Sequence, residues 1–137
     1  MNNEIGKILV VDDIVENCDI LKIRMEKVGY EVDTEADSNQ AIDRLRASEY
    51  DLVLLDINMP GTSGITLLEQ IRGDEAFDSV AVIMITAIDD VQVALDCMRK
   101  GACGYLTKPF NIDQIRQQIN NCFKRITEKQ VSGAAGA

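Results

Sequence analysis

Four short apolar runs end in residues that could do chemistry together. Asp12 and Asp13 follow Lys7–Val11, Asp56 follows Leu52–Leu55, Thr86 follows Val80–Ile85, and Lys108 lies just past Cys103–Leu106. If these ends converge, the carboxylates repel one another. At about 4 Å and an effective dielectric near 20, one such pair costs roughly 4 kcal/mol. That repulsion holds up at least one carboxyl pKa, and a divalent cation relieves it. Hard oxygen donors with room for water favour Mg²⁺ over Zn²⁺. A hydroxyl and an ammonium beside the cation suit an anion with several oxygens, and phosphoryl is the obvious one.

Such convergence requires a fold that gathers strand ends along one edge. Leu52–Leu55 is apolar without alternation, the pattern of a parallel strand covered on both faces. It stops at Asp56, and a Pro60-Gly61 turn and Gly64 precede a new helical pattern. The carboxyl ends of central parallel strands are where open α/β sheets place their ligands. The chain alternates strand and helix five times, which predicts an α/β fold: one parallel sheet with helices on both faces and right-handed crossovers.

In order, Lys7–Val11 is a strand and Cys18, Leu21, Met25 and Val28 mark a helix that stops at Gly29. Tyr30, Val32 and Thr34 alternate as in an outer strand. Ser38 is the expected cap of a helix with Ala41, Ile42 and Leu45 inward. After the Leu52–Leu55 strand, a helix over Ile65–Arg72 buries Leu67, Leu68 and Ile71. Val80–Ile85 is a central strand. Asp89 or Asp90 caps a helix carrying Val91, Ala94, Leu95 and Met98, stopped near Gly101. Cys103–Leu106 is the last strand. The final helix starts at Asn111, with Gln114 at capping-box spacing, and its stripe is Ile112, Ile115, Ile119, Cys122 or Phe123, and Ile126.

With 137 residues the chain is expected to form one domain, residues 1–126, with a small-residue tail over 127–137 that is a natural end, a linker or a cloning remnant. The net charge of −9 disfavours nucleic acid and anionic lipid as partners and favours cations and basic surfaces. A polar N-terminus and the lack of any membrane-length apolar run predict a cytoplasmic protein. The four cysteines (Cys18, Cys97, Cys103, Cys122) have no zinc-type spacing and are expected to be free, partly buried thiols. The absence of histidine removes Ser-His and Cys-His nucleophiles.

The ordered set Val10-Val11-Asp12-Asp13, Asp56-Ile57-Asn58-Met59-Pro60 with Gly64, Thr86-Ala87, and Gly101-Ala102 through Gly104-Tyr105-Leu106-Thr107-Lys108-Pro109-Phe110 resembles the receiver domain of two-component response regulators. The resemblance runs from about Lys7 to Ile126 with its spacing intact. It implies a flavodoxin-like sheet with strand order 2-1-3-4-5. It also implies a phosphoprotein rather than a turnover enzyme: a phosphorelay switch carrying an aspartyl phosphate on Asp56, taken from a sensor histidine kinase or histidine phosphotransfer protein. Asp13 and Asp56, with the backbone carbonyl of Asn58, match the Mg²⁺ ligands, and Asp12 matches the acidic residue acting through metal-bound water. Lys108 matches the lysine that pairs with the phosphoryl oxygens. Thr86 matches the hydroxyl that moves onto the phosphoryl group, Tyr105 the aromatic switch, and Pro109 the cis-proline of the lysine's loop. The fourth helix, fifth strand and fifth helix would be the changing surface, read by a downstream output domain or protein. Dimers that form on phosphorylation occur in the family, and no residue here decides that point.

Ile88, two residues past Thr86, is expected to hinder attacking water and lengthen the phosphoryl lifetime. Other classes fit less well. An aspartyl phosphohydrolase would carry D-x-D where this chain has Asp56-Ile57-Asn58. A flavin or nucleotide binder would have a Gly-, Ser- or Thr-rich first loop instead of Asp12-Asp13. A receiver cut from a longer protein would keep the same local chemistry.

Overall fold

Unbroken runs of aliphatic residues cannot keep one face in water, so they form strands covered on both sides. In the computed structural model, which describes residues 6–87 and 89–123, three such strands are β1 (Ile8–Val11), β3 (Leu52–Asp56) and β4 (Ala81–Thr86). Every residue in them is buried. β2 (Val32–Glu35) and β5 (Gly104–Thr107) close the two edges. All pairings are parallel, in the order β2-β1-β3-β4-β5. The helices are α1 (Val15–Lys27), α2 (Ala41–Ala47), α3 (Gly64–Arg72), α4 (Val91–Arg99) and α5 (residues 112–123).

The two-residue period of the strands divides the core in two. Leu9, Val11, Val53, Leu55, Val82 and Met84 pack with α2, α3 and α4 through Leu45, Leu67, Leu68, Ile71 and Cys97. Ile8, Val10, Leu52, Leu54, Ile83 and Ile85 pack with α1 and α5 through Cys18, Met25, Ile115, Ile119 and Cys122. Each fully buried Leu or Ile contributes about 1.5–3 kcal/mol. Ile126 and the tail over 127–137 lie outside the described residues.

Several element ends follow their sequence signals. The Asn111 backbone N–H donates to Gln114 Oε1 at 2.9 Å and the Gln114 N–H donates to Asn111 Oδ1 at 2.8 Å, a reciprocal cap. Of the two acidic candidates, Asp90 caps α4 by accepting from the Gln92 N–H at 2.9 Å. Ser38 does not act as the expected cap. Asp37 does so instead, accepting from the Asn39 N–H at 2.9 Å and starting a short 3₁₀ turn (Ser38–Gln40) before α2. Ser38 is drawn inward, where its hydroxyl donates to the Pro60 carbonyl at 3.4 Å. Val91 and Leu95 of α4 are exposed, at 69% and 42%, while Cys97 is the helix's buried contact.

The expectation of four free thiols holds for Cys18 and Cys97, which are free and buried, and fails for the other two. Cys103 and Cys122 form a disulfide with a Cα–Cα separation of 5.5 Å. The reason is helix placement: α5 lies so close to β5 at Gly104, which has no side chain, that the Cys122 sulfur reaches the sheet.

At the opposite edge from the strand ends, the Tyr50 hydroxyl donates to Asp33 Oδ2 at 2.6 Å, and Lys7 Nζ stands 3.2 Å from the same oxygen. The Tyr50 bond is the main cause that lowers the Asp33 pKa. A depressed carboxyl pKa contributes stability above its ordinary value, which is lost as pH falls through the folded-state value. Tyr50→Phe is therefore expected to cost about 1 kcal/mol at neutral pH. Denaturant melts at about pH 7 and about pH 3 should show that penalty shrinking in acid. An equal penalty at both would mean that the hydroxyl acts elsewhere.

Candidate functional site

Register decides which side chains meet. Val11 pairs with Leu55, so Asp12 and Asp56 follow side by side on adjacent strands. Thr86 pairs with Thr107, so Lys108 emerges one residue beyond. Neighbouring strands are about 4.8 Å apart, which sets the scale of the pocket. Carboxylate oxygens of Asp12, Asp13 and Asp56 all lie within 4.8 Å of one another. Asp12 and Asp56 are buried, at 3% and 5% exposure, and Asp13 is half-buried. Lys108 Nζ donates to Asp12 Oδ2 at 3.3 Å and to Asp56 Oδ2 at 3.4 Å.

Burial raises the Asp56 pKa first, and the Asp12 charge raises it further. Lys108 and the Asn58 N–H, which donates to Asp56 Oδ1 at 3.2 Å, act the other way without cancelling the rise. Burial disfavours the charge of Lys108, but the Asp56 and Asp12 carboxylates outweigh it and the ammonium pKa is raised. Three carboxylates against one ammonium leave two negative charges in the cluster. An all-oxygen donor set of that charge suits a hard divalent cation.

The remaining predicted residues fall around this cluster. The Asn58 backbone meets the cluster through its N–H, which bonds Asp56, and Thr86 is completely buried on β4. The Lys108-Pro109 peptide is cis. Tyr105 is half-buried on β5 and packs against the core shared with α4, outside the carboxylate cluster. Ile88 lies outside the described residues.

Some contacts had no sequence signal. The Asn58 side-chain amide donates to Thr86 Oγ1 at 3.4 Å, whereas the resemblance assigns a role to its backbone carbonyl alone. Asp12 also accepts from the Ile14 N–H at 2.9 Å and from Asn17 Nδ2 at 3.4 Å, so it braces the turn that leads into α1 as well as lining the pocket. Gly64 opens α3 directly beneath the Asp56 carbonyl, and a Cβ there would stand 2.1 Å from that oxygen. Beside Asp12 and Lys108 runs a groove of about 260 Å³, with Ile20, Leu21, Pro109 and Phe110 in its walls.

Comparisons with known proteins agree with this arrangement. The family model for the response regulator receiver domain matches residues 8–120. Chemotaxis protein CheY-3 of Vibrio cholerae is 34% identical over 125 residues, covering 90% of this chain and 96% of that protein. The transcriptional regulatory protein ZraR of Klebsiella oxytoca is 32% identical across 100% of this chain, which spans 31% of ZraR. Among solved structures, the response regulator TrrA of Thermotoga maritima, in complex with Mg²⁺-BeF, superposes with a TM-score of 0.75 at 32% identity. That match covers 85% of this chain and 98% of TrrA. Among the described residues no helix is long and apolar enough to cross a membrane. With the parallel order β2-β1-β3-β4-β5 and an acidic cluster at the strand ends, the chain belongs to the response regulator receiver domain family.

Proposed function

We propose that the protein is a phosphorelay switch that accepts a phosphoryl group on Asp56. The observation that carries this reading is the Lys108 ammonium, 3.3 Å from Asp12 and 3.4 Å from Asp56 in a pocket of three carboxylates. The Asp56 carboxylate attacks phosphorus, the P–N bond of a phosphohistidine breaks, and the electron pair leaves on the imidazole nitrogen. The phosphohistidine belongs to the sensor kinase or phosphotransfer partner, since residues 1–137 contain no histidine. Asp12, Asp13 and Asp56, with the Asn58 carbonyl, would hold Mg²⁺, which when bound neutralises charge on the phosphoryl oxygens.

Lys108 keeps its proton and exchanges a carboxylate contact for a phosphoryl oxygen. Thr86 turns from the Asn58 amide to the new group, and Tyr105 follows inward. These contacts exist in only one state, which is what shifts a two-state equilibrium. The surface that changes is α4, β5 and α5, and the exposed Val91 and Leu95 support an apolar contact for an output partner there. Exposed Ile14 just before α1 and Val15 and Ile20 on it, with Ile20 in the wall of the groove at Asp12, support docking of the donor. The receiver unit is residues 1–126, and it turns over no separate substrate.

Incubation with acetyl phosphate and Mg²⁺ should add one phosphoryl mass that hydroxylamine removes. Chelation of the metal should prevent it. An intact mass that stays unchanged with metal, acetyl phosphate and a panel of phosphohistidine donors would overturn the reading.

A further inference from the structure

The only cysteine pair among the described residues closes a loop around the moving parts of the proposed switch. Cys103 immediately precedes β5, and its backbone N–H donates to the Val82 carbonyl at 2.8 Å, so it is fixed to the sheet. Cys122 lies in α5 and is completely buried. The bridge therefore fastens a helix to the sheet, across a separation of 19 residues that contains Tyr105, Lys108 and Pro109. Helix and strand already touch there: a Cβ on Gly104 would stand 2.7 Å from Gln118 Oε1 and 3.5 Å from Cys122 Sγ. Cys103, by contrast, is only half-buried, so it is the less covered residue of the pair.

The free cysteines are poorly placed to interfere. Cys97 is buried in the opposite core, where burial pushes its thiol pKa up and disfavours the thiolate. Cys18 donates to the Asp12 carbonyl at 3.2 Å, at the carboxylate edge, whereas the bridge lies at the far end of β5.

We propose that Cys103–Cys122 is a redox-reversible clamp on the β5–α5 segment, opened by small thiols of the glutathione class. A glutathione thiolate attacks Cys103 Sγ, on the less buried residue of the pair. The S–S bond breaks, and its electron pair leaves on Cys122 Sγ, which takes a proton from water. A second glutathione thiolate attacks the glutathione sulfur of the mixed disulfide and releases Cys103 as a thiol, again protonated by water. Two glutathione thiols become one glutathione disulfide, and the protein gains two thiols. Closed, the clamp holds β5 and α5 in the arrangement described above. Opened, it lets α5 part from β5 more often. Its consequence for signalling rests on the phosphoacceptor reading, but the redox step does not.

The test equilibrates the full chain in glutathione buffers, traps thiols by alkylation, and measures amide hydrogen exchange over residues 104–122. The Cys103–Cys122 pair should interconvert as the ratio of glutathione to its disulfide is varied. Reduction should speed exchange in this segment by about tenfold or more, because loop closure no longer restrains local opening. Cys103→Ser, which leaves the buried Cys122 side chain in place, should match the reduced protein and ignore the buffer. A bond that never forms, one that never opens, or equal exchange in both forms would overturn the proposal. With Mg²⁺, beryllofluoride should bind the reduced form several-fold more tightly, and saturating beryllofluoride should favour reduction by the same factor. Beryllofluoride binding to neither form would count against the phosphoacceptor reading alone, with exchange still deciding the clamp. Equal affinity for both forms would remove the link to the switch.

Discussion

Asp56→Asn is expected to abolish phosphoryl uptake from acetyl phosphate with Mg²⁺, a loss of more than about 10³-fold in rate. The amide nearly preserves the shape of the carboxyl, but it removes the attacking oxyanion and one of the three charges of the cluster. The same variant should be more stable than the parent without metal. Ionised Asp56 is buried beside Asp12, and its pKa is raised by that burial first and by Asp12 second. A raised carboxyl pKa contributes stability below its ordinary value, and that stability is lost as pH rises through the folded-state value. At neutral pH the ionised group therefore destabilises the fold. Asn removes a cost of about 1 kcal/mol, a Tm gain of roughly 4 °C. The gain should vanish in acid, where the parent carries a protonated carboxyl of the same shape. Labelling at the parental rate would assign the acceptor to another residue. A lower Tm at neutral pH would contradict the desolvation argument even if labelling were lost.

Gly64→Ala should be strongly destabilising, with the closest added-methyl contact given by any glycine among the described residues. The added carbon would stand 2.1 Å from the Asp56 carbonyl oxygen and 2.7 Å from Ile57 Cα. Both are backbone atoms at the end of a buried strand, so no flexible side chain can yield. The Gly64 N–H also donates to the Ile57 carbonyl at 2.8 Å, which ties the start of α3 to that strand end. Relief requires the helix or the strand end to move, at a cost of about 3 kcal/mol. Thermal melts should show Tm falling by roughly 10 °C. Labelling should slow as well, because the displaced atoms carry Asp56. Gly73→Ala is the control: its nearest contact would be the Glu69 carbonyl at 3.2 Å, at negative φ, and little change is expected. Equal Tm values for the two variants would mean that α3 does not approach the strand end this closely.

The site was legible because its residues lie at the ends of strands. Apolar runs mark where a buried strand stops, and parallel pairing steps one residue for one residue. Asp12, Asp56, Thr86 and Lys108 could thus be assigned to one edge without knowing any side-chain rotamer. Element types were legible for the same reason, as were the reciprocal Asn111–Gln114 cap and the Asp90 cap, which depend on neighbours in sequence. Local signals failed where Asp37 displaced Ser38 as the cap by one position, and on α4, where Val91 and Leu95 of the apolar stripe are exposed and Cys97 is the buried contact.

Contacts between elements were not legible. The Asn58–Thr86 bond spans 28 residues, the Cys103–Cys122 bridge 19, and neither has a spacing rule. Both depend on how far a loop folds back or how closely a helix settles on its strand, and packing of the whole core sets those distances. By itself the sequence determined the strands, their terminal residues and the chemistry those residues can share. Only the tertiary structure decided that α5 lies near enough to β5 for two sulfurs to join, and that α3 begins against the Asp56 carbonyl. The physical reason is that repeat and register are written along the chain, whereas the closeness of two elements is fixed by every side chain between them.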